Sequence, residues 1–373
     1  PTTTTPVTPP AGQPVPVQQL APPVLQILDA DNLTVRERLQ LPEQLAGRSV
    51  LSSDGNVMYA VSDSGLTILP VGLLSKFPRV TASREDLLFR GNYCDRKTAS
   101  QEIEIVDPGG NNTPFSLQAG IPGVTVSPDS GVTPAKVRVS VDTSAVSSRT
   151  GTLAGLIEIR SSVAVNIPDP VRVLINNREP DQRGSFFNVP GKLVDIAADP
   201  ARDRFYVLRQ DKNRVLVFNG TTFQQIASLR TGNTPWQMAV TLDGKYLIVT
   251  NDNSQIANVY NLETLQQTQN IEFPVGHYPR SIAVSGSSIL VASRVVTTEQ
   301  GCTHGIDSVD LGSRAAVRLD TLGIYKNCVQ LDTALAASPT AETIFFAQSN
   351  GTTLVYRSSN RTFAASRKDF TAL

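Results

Sequence analysis

Apolar and polar positions along this chain alternate on a short beat. Runs of about four to eight residues rich in Val, Ile, Thr and Tyr are separated by Asp-Gly, Asn-Gly or Pro-containing turns, the pattern of successive strands. Long stretches of helical period are absent, so the pattern predicts an all-β protein. The beat is clearest at 232–252, GNTPWQMAVTLDGKYLIVTND, and returns as GHYPRSIAVSGSSILVASR. Gly232 aligns with Gly276, Pro235 with Pro279, Met238 with Ile282, Ala239 with Ala283 and Val240 with Val284, at a constant offset of 44.

The same rhythm runs through 193–220, 49–71 and 335–359. Each copy reads as strand, tight turn, strand, turn, strand, then a fourth strand such as FQQIASLR at 223–230. Four strands per period of about 40–45 residues predict β-propeller blades. A single blade leaves both faces bare, and stacking on its neighbours supplies the core. Asp54-Gly55 and Asp243-Gly244 are read as turn chemistry, because glycine accepts the positive φ that a tight hairpin turn requires.

At KYLIVTND (245–252) the repeat resembles the YVTN-type β-propeller repeat of bacterial and archaeal secreted and surface proteins. The resemblance covers roughly 24–78 and 184–370, and implies a fold without implying an activity. Between these parts, strands separated by turn signals every 8–12 residues or so predict a sandwich. There VTVSPDSGVTPAKVRVSVDTS, followed by SSRTGTLAGLIEIRSS, resembles the BACON-type immunoglobulin-like module, which implies an accessory unit of a secreted protein. Val124 and Thr125 stand where that family often carries an aromatic residue.

The organisation expected is a Thr/Pro-rich linker over 1–22, a first propeller part over 23–78, an inserted immunoglobulin-like sandwich over 79–180, and a second propeller part over 181–373. SFFNV (185–189) is expected to supply the fourth strand of the interrupted blade. VLQILDA and VRERLQL read as the outer strands of a closing blade, and RTFAASRK as a last fourth strand. The count predicts about five complete blades plus a half blade, in a ring left incomplete by this chain. The alternative is closure at five or six blades.

Composition narrows the function. Thirty-three basic residues balance 33 acidic ones, and no basic stripe stands out, which argues against nucleic-acid binding. No apolar run reaches the roughly 18 residues of a transmembrane segment. Three cysteines and two histidines offer no metal-ligand spacing, and no cofactor is expected. There is no Gly-x-Ser-x-Gly, no phosphate loop and no Cys-His pair in nucleophile context.

In a propeller, the loops entering each blade and the loops between its second and third strands share one face. Candidate binding residues on that face are Trp236, Asn251, Asp252, His277, Tyr278 and Arg280. Asp211, Lys212, Asn213 and the long loop 295–305, which contains His304, lie in equivalent loops. Trp236, the only tryptophan, has Arg280 as its counterpart in the next repeat; stacking on a sugar or pairing with a carboxylate suits this couple. The same strand count puts Cys302 and Cys328 on one face and predicts a disulfide, closing a loop of about 25 residues at roughly 3–4 kcal/mol and implying an oxidising, exported location. Cys94 is left over. The expected function is an exported, non-enzymatic binding or scaffold protein recognising a protein or carbohydrate ligand. The alternatives are a propeller-type enzyme of lyase, lactonase or quinoprotein kind with a metal or cofactor at the channel mouth, and a structural surface-layer or adhesion component.

Overall fold

The computed structural model describes residues 23–30, 32–90, 98–142, 145, 153–176, 187, 189–286, 288–296, 304–330 and 332–367. The chain divides into two compact units, Pro1–Ile27 with Glu37–Phe186, and Leu28–Arg36 with Phe187–Leu373. Among the described residues no helix is long and apolar enough to cross a membrane.

A hairpin of β1 (Val24–Leu28) and β2 (Val35–Gln40) comes first. In the first unit, β3 (Leu45–Leu51), β4 (Met58–Ser62) and β5 (Gly65–Leu69) then form an antiparallel meander. Nine further strands follow: β6 (Thr81–Ala82), β7 (Asp86–Arg90), β8 (Ala99–Val106), β9 (Pro114–Ala119), β10 (Val124–Ser127), β11 (Ser130–Val132), β12 (Ala135–Val141), β13 (Leu153–Arg160) and β14 (Val171–Asn176). They make two sheets, ordered β10-β12-β8-β6 and β11-β9-β13-β14-β7. Period-2 alternation sends Ile103 and Ile105 of β8, Val137 and Val139 of β12, Ile157 of β13 and Val173 of β14 into one shared core, all at most 2% exposed. This two-sheet body is therefore held by apolar alternation, in antiparallel pairs apart from β14 and β7, which run parallel.

Besides Leu28–Arg36, the described residues of the second unit make a run of four meanders. They are β15 (Leu193–Asp199) to β16 (Arg204–Arg209), β17 (Arg214–Asn219) and β18 (Gln225–Arg230); then β19 (Pro235–Val240), β20 (Tyr246–Asn251), β21 (Ile256–Asn261) and β22 (Gln267–Glu272). Next come β23 (His277–Ser285), β24 (Ser288–Val295), β25 (His304–Asp310) and β26 (Ala315–Arg318), and last β27 (Ala334–Ala337), β28 (Thr343–Ala347), β29 (Thr353–Arg357) and β30 (Thr362–Arg367). The first strands, β15, β19, β23 and β27, run side by side, which makes these sheets propeller blades. The fold is all-β, with a β-propeller. Among the described residues four blades have all four strands. The strand expected at 185–189 to complete the sheet β3-β4-β5 lies mostly outside the described residues.

Blade stacking explains why the second strands are continuously apolar. Leu247 and Val249 of β20 point back to Tyr206 and Val215 of the preceding blade, whereas Ile248 points forward to Ile282 and Val291. In β24, Ile289 and Val291 point back and Leu290 and Ala292 forward. Strands buried on both faces lose the alternation of half-exposed ones.

The turns repeat as well. Gly55 and Gly244 have φ of 71° and 65°, and an aspartate anchors each turn. Ser52 Oγ donates to Asp54 at 2.5 Å, and Thr241 Oγ1 to Asp243 at 2.6 Å. These hydroxyls lead the hydrogen bonds that pull Asp54 down to about 2 and lower Asp243. Between third and fourth strands, Asn219, Asn261 and Asp310 each accept two backbone N–H groups, and Phe223, Leu265 and Arg314 follow in the left-handed region. This is a side-chain turn built three times.

Candidate functional site

Strand register gives the four blades a common numbering. Ile196 pairs with Val207, Met238 with Val249, Ile282 with Val291, and Leu335 with Phe346. The two residues before each of these first-strand positions are Val194-Asp195, Trp236-Gln237, Arg280-Ser281 and Thr333-Ala334. All eight line one cavity of about 320 Å³, together with Ala292, His304 and Asp332. The cavity is thus made from one repeated place in the blade, where the first strands begin.

In three of the four blades a β-bulge creates that place. Register shifts fall between Leu193 and Asp195, between Pro235 and Met238, and between Pro279 and Ser281. The residues they leave out of step are Val194, Trp236 with Gln237, and Arg280. A bulge turns a side chain out of the sheet's alternation, here toward the cavity.

The second residue of each pair has a structural duty. Asp195 Oδ2 accepts from Met238 N at 2.6 Å, Gln237 Oε1 from Ile282 N at 2.9 Å, and Ser281 Oγ from Leu335 N at 2.9 Å. Each side chain therefore satisfies the N–H of the matching first-strand residue in the next blade. Gln237 also accepts from Ser281 Oγ at 2.6 Å, which links three blades in series. A buried N–H must find an acceptor, and aspartate, glutamine and serine all provide one. That is how three different residues do one job.

The first residue of each pair is free to vary: Val194, Trp236, Arg280, Thr333. The Arg280 guanidinium lies 3.7 Å over the Trp236 ring. Its Nη1 reaches Asp332 at 2.7 Å, and its Nε stands 3.6 Å from Asp252, buried and without a hydrogen bond. Asp252 also takes Arg294 Nε at 3.0 Å, and Arg294 lies 4.4 Å over Tyr278. Burial raises the Asp195 carboxyl above its ordinary value, against the two backbone N–H groups it accepts. Burial, then the positive charge of Arg280, lowers His304.

Three of the residues expected from the sequence, Trp236, Arg280 and Asp252, come together here, with Tyr278 beside Asp252 through Arg294. Of the six, only Trp236 and Arg280 line the cavity itself; Asp252 and Tyr278 stand behind Arg280, and the other two are held elsewhere. Asn251 is fully buried and donates to Asn258 Oδ1 at 3.0 Å and Ile256 O at 2.9 Å. His277 is buried, with Nδ1 2.9 Å from Asp307. Of the wider set, Asp211 accepts from Lys192 N and Arg209, and Asn213 Oδ1 accepts from Thr234 N, so both hold loops. Lys212 lies in the same turn, and His304 lines the cavity. Cys328 is disulfide-bonded, whereas Cys302, Cys94 and residues 297–303 lie outside the described residues. Among the described residues no group of three His, Cys, Asp or Glu could hold a metal ion.

Sequence reasoning missed Asp195, Gln237, Ser281 and Asp332. The signal was present for three of them: carrying the Trp236/Arg280 alignment one column further and one blade each way reaches Asp195, Gln237 and Ser281.

No family model matches the chain, and no curated protein matches it. Among solved structures, the β-propeller domain of Cps50 (Swd1) from Myceliophteria thermophila is 13% identical, with a TM-score of 0.39 over 50% of this chain and 58% of that one. The dihydro-heme d1 dehydrogenase NirN, in complex with DHE, is 12% identical, with a TM-score of 0.35 over 93% of this chain and 61% of that one. Hydrazine synthase of Kuenenia stuttgartiensis is 10% identical, with a TM-score of 0.34 over 89% of each. The chain thus spans under two thirds of the first two. Likenesses at this level assign no activity, and the blade assignment rests on strand register.

Proposed function

We propose that this propeller is a non-enzymatic recognition module, whose cavity takes a single neutral unit of a glycan. One observation carries the reading: four equivalent positions around one cavity have diverged to Val194, Trp236, Arg280 and Thr333, whereas the apolar and Ala positions that follow are kept in every blade. Divergence confined to the lining is what a shaped site needs and a scaffold does not. An indole face suits the apolar side of a sugar ring. Asp195, Gln237, Asp332 and Thr333 offer acceptors and donors for hydroxyls. Arg280 already faces Asp332 and Asp252, so a ligand carboxylate would compete with two protein carboxylates for it. That favours a neutral ligand over an acidic one.

The wider proposal is an exported protein of the YVTN-type repeat class, with the two-sheet body as a BACON-type, immunoglobulin-like accessory module. The disulfide at Cys328 supports an oxidising compartment. One observation favours a second reading, an acid–base enzyme: burial moves Asp195 up and His304 down, toward each other, in one cavity.

Glycan-array binding followed by calorimetry tests the first reading. Trp236→Ala is expected to weaken any glycan bound by the wild type about tenfold or more, the worth of one well-placed aromatic contact. Undiminished binding would place the ligand elsewhere. Turnover of a bound glycan, abolished by Asp195→Asn, would favour the enzyme.

A further inference from the structure

The aromatic face that makes Trp236 useful is covered. Arg280 lies over it at 3.7 Å, from the equivalent position of the next blade. The backbone beneath Arg280 is anchored, since the Thr250 hydroxyl donates to the Arg280 carbonyl. Any movement therefore belongs to the side chain.

That side chain is poorly satisfied where it sits. Arg280 is 9% exposed, so most of its donors need partners from the protein. Its Nε is buried with no hydrogen bond, and the nearest carboxylate, Asp252 at 3.6 Å, already receives Arg294. A buried donor without an acceptor penalises the conformation that holds it. The close contact is with Asp332, whose side chain is 58% exposed. A guanidinium released from Asp332 and swung outward to solvent would rehydrate Nε and uncover the indole. Stacking on Trp236 opposes this.

We propose that Arg280 is a displaceable cover on Trp236, tethered by Asp332, which a sugar ring lifts as it enters the cavity. Selectivity follows: a ligand must stack on the indole better than the guanidinium does, so a planar apolar ring face is admitted and a small polyol is not. The ligand half of this inference rests on the glycan reading; the cover does not.

The chain has one tryptophan, so its fluorescence reports this site alone. Acrylamide, a neutral quencher, is the first probe. Arg280→Ala is expected to raise the quenching constant severalfold. Asp332→Asn, a rim change that leaves the core untouched, should raise it less. Unchanged quenching in Arg280→Ala overturns the cover, and unchanged quenching in Asp332→Asn overturns the tether. The second probe is a panel of methyl glycosides of glucose, galactose, mannose and N-acetylglucosamine. Removing the cover should tighten binding roughly two- to thirtyfold, the reach of one cation–π contact. Weaker binding in Arg280→Ala would make Arg280 a ligand contact, overturning the cover while leaving recognition standing. If no glycoside binds either protein, the glycan reading and the lifting step both fall, whatever the quenching shows.

Discussion

The two middle blades, β19–β22 and β23–β26, share one register and solve one packing problem with opposite chemistry. Val249 of β20 pairs with Asn258 of β21, and the equivalent Val291 of β24 pairs with Asp307 of β25. Both partners are fully buried. In the flanking blades the same position is Leu216 and Leu354. Asn258 sits in a neutral network: it accepts from Gly232 N at 2.7 Å and Asn251 Nδ2 at 3.0 Å, and donates to Asn270 at 2.9 Å. Asp307 instead faces His277 Nδ1 with both oxygens, at 2.9 and 3.0 Å. The polar position is optional for a blade, since leucine serves twice. Where it is used, it ties the third strand to the start of its own blade, at Gly232 in one case and His277 in the other. In these blades it supports the beginnings of the first strands, which carry Trp236 and Arg280.

The largest effect should come from breaking the carboxylate version. Asp307→Ala strips the buried His277 Nδ1 of its partner, at about 3 kcal/mol, the upper end for a buried group left unsatisfied. Urea unfolding should show this as a lower midpoint at unchanged slope. His277→Leu with Asp307→Leu, the second change copying Leu216 and Leu354 of the flanking blades, is expected to recover most of the loss. If the double change is as damaging as the single one, the pair does more than fill a leucine's place.

Asn258→Leu tests the neutral version and should cost less, about 1–3 kcal/mol, for the Gly232 N–H and Asn251 amide left without their acceptor. A cost equal to that of Asp307→Ala would erase the distinction between the blades.

How far these features could be read beforehand depends on the range of the signal. Apolar second strands and Asp-Gly turns are local, so the blades, their order and the turn residues were legible. Trp236 and Arg280 stood out because one clear alignment brought them into a single column. Asp307 did not, because its link to His277 crosses 30 residues and depends on the third strand's register. The bulges left no mark at all: an extra residue is visible only once the neighbouring strand is paired. For the same reason Asn251, which looked like a loop ligand, is an inward strand residue bonded to Asn258.

The links between blades give the next contrast. Gln237→Ala leaves both Ile282 N and the Ser281 hydroxyl without their acceptor, at about 1–2 kcal/mol. Ser281→Ala frees only Leu335 N and should cost about half as much. Amide exchange sharpens the comparison: Ile282 N should lose protection in the first variant and Leu335 N in the second. Loss of protection at both sites in both variants would mean that the series opens as a unit.

The smallest effect is expected at Asp195, the first link. Burial raises its folded pKa above the ordinary 3.8. The stability this gives is complete below that ordinary value and lost as pH rises through the folded one, so at neutral pH the charge is a burden. Asp195→Asn keeps an oxygen for Met238 N and removes the charge. It should be neutral or stabilising by about 0.5 kcal/mol at pH 7, the scale of a well-tolerated change, with the gain fading as pH falls through the raised folded pKa and gone by the ordinary 3.8. His304 runs the other way. Its folded pKa is lowered from 6.5, so its contribution is present above that value and lost as pH falls through the folded one. His304→Gln should therefore flatten the melting profile between about pH 7 and 5, where Asp195→Asn leaves the slope unchanged. Melting profiles of the two single variants separate the groups: a slope that persists in His304→Gln and disappears in Asp195→Asn would reverse their assignment.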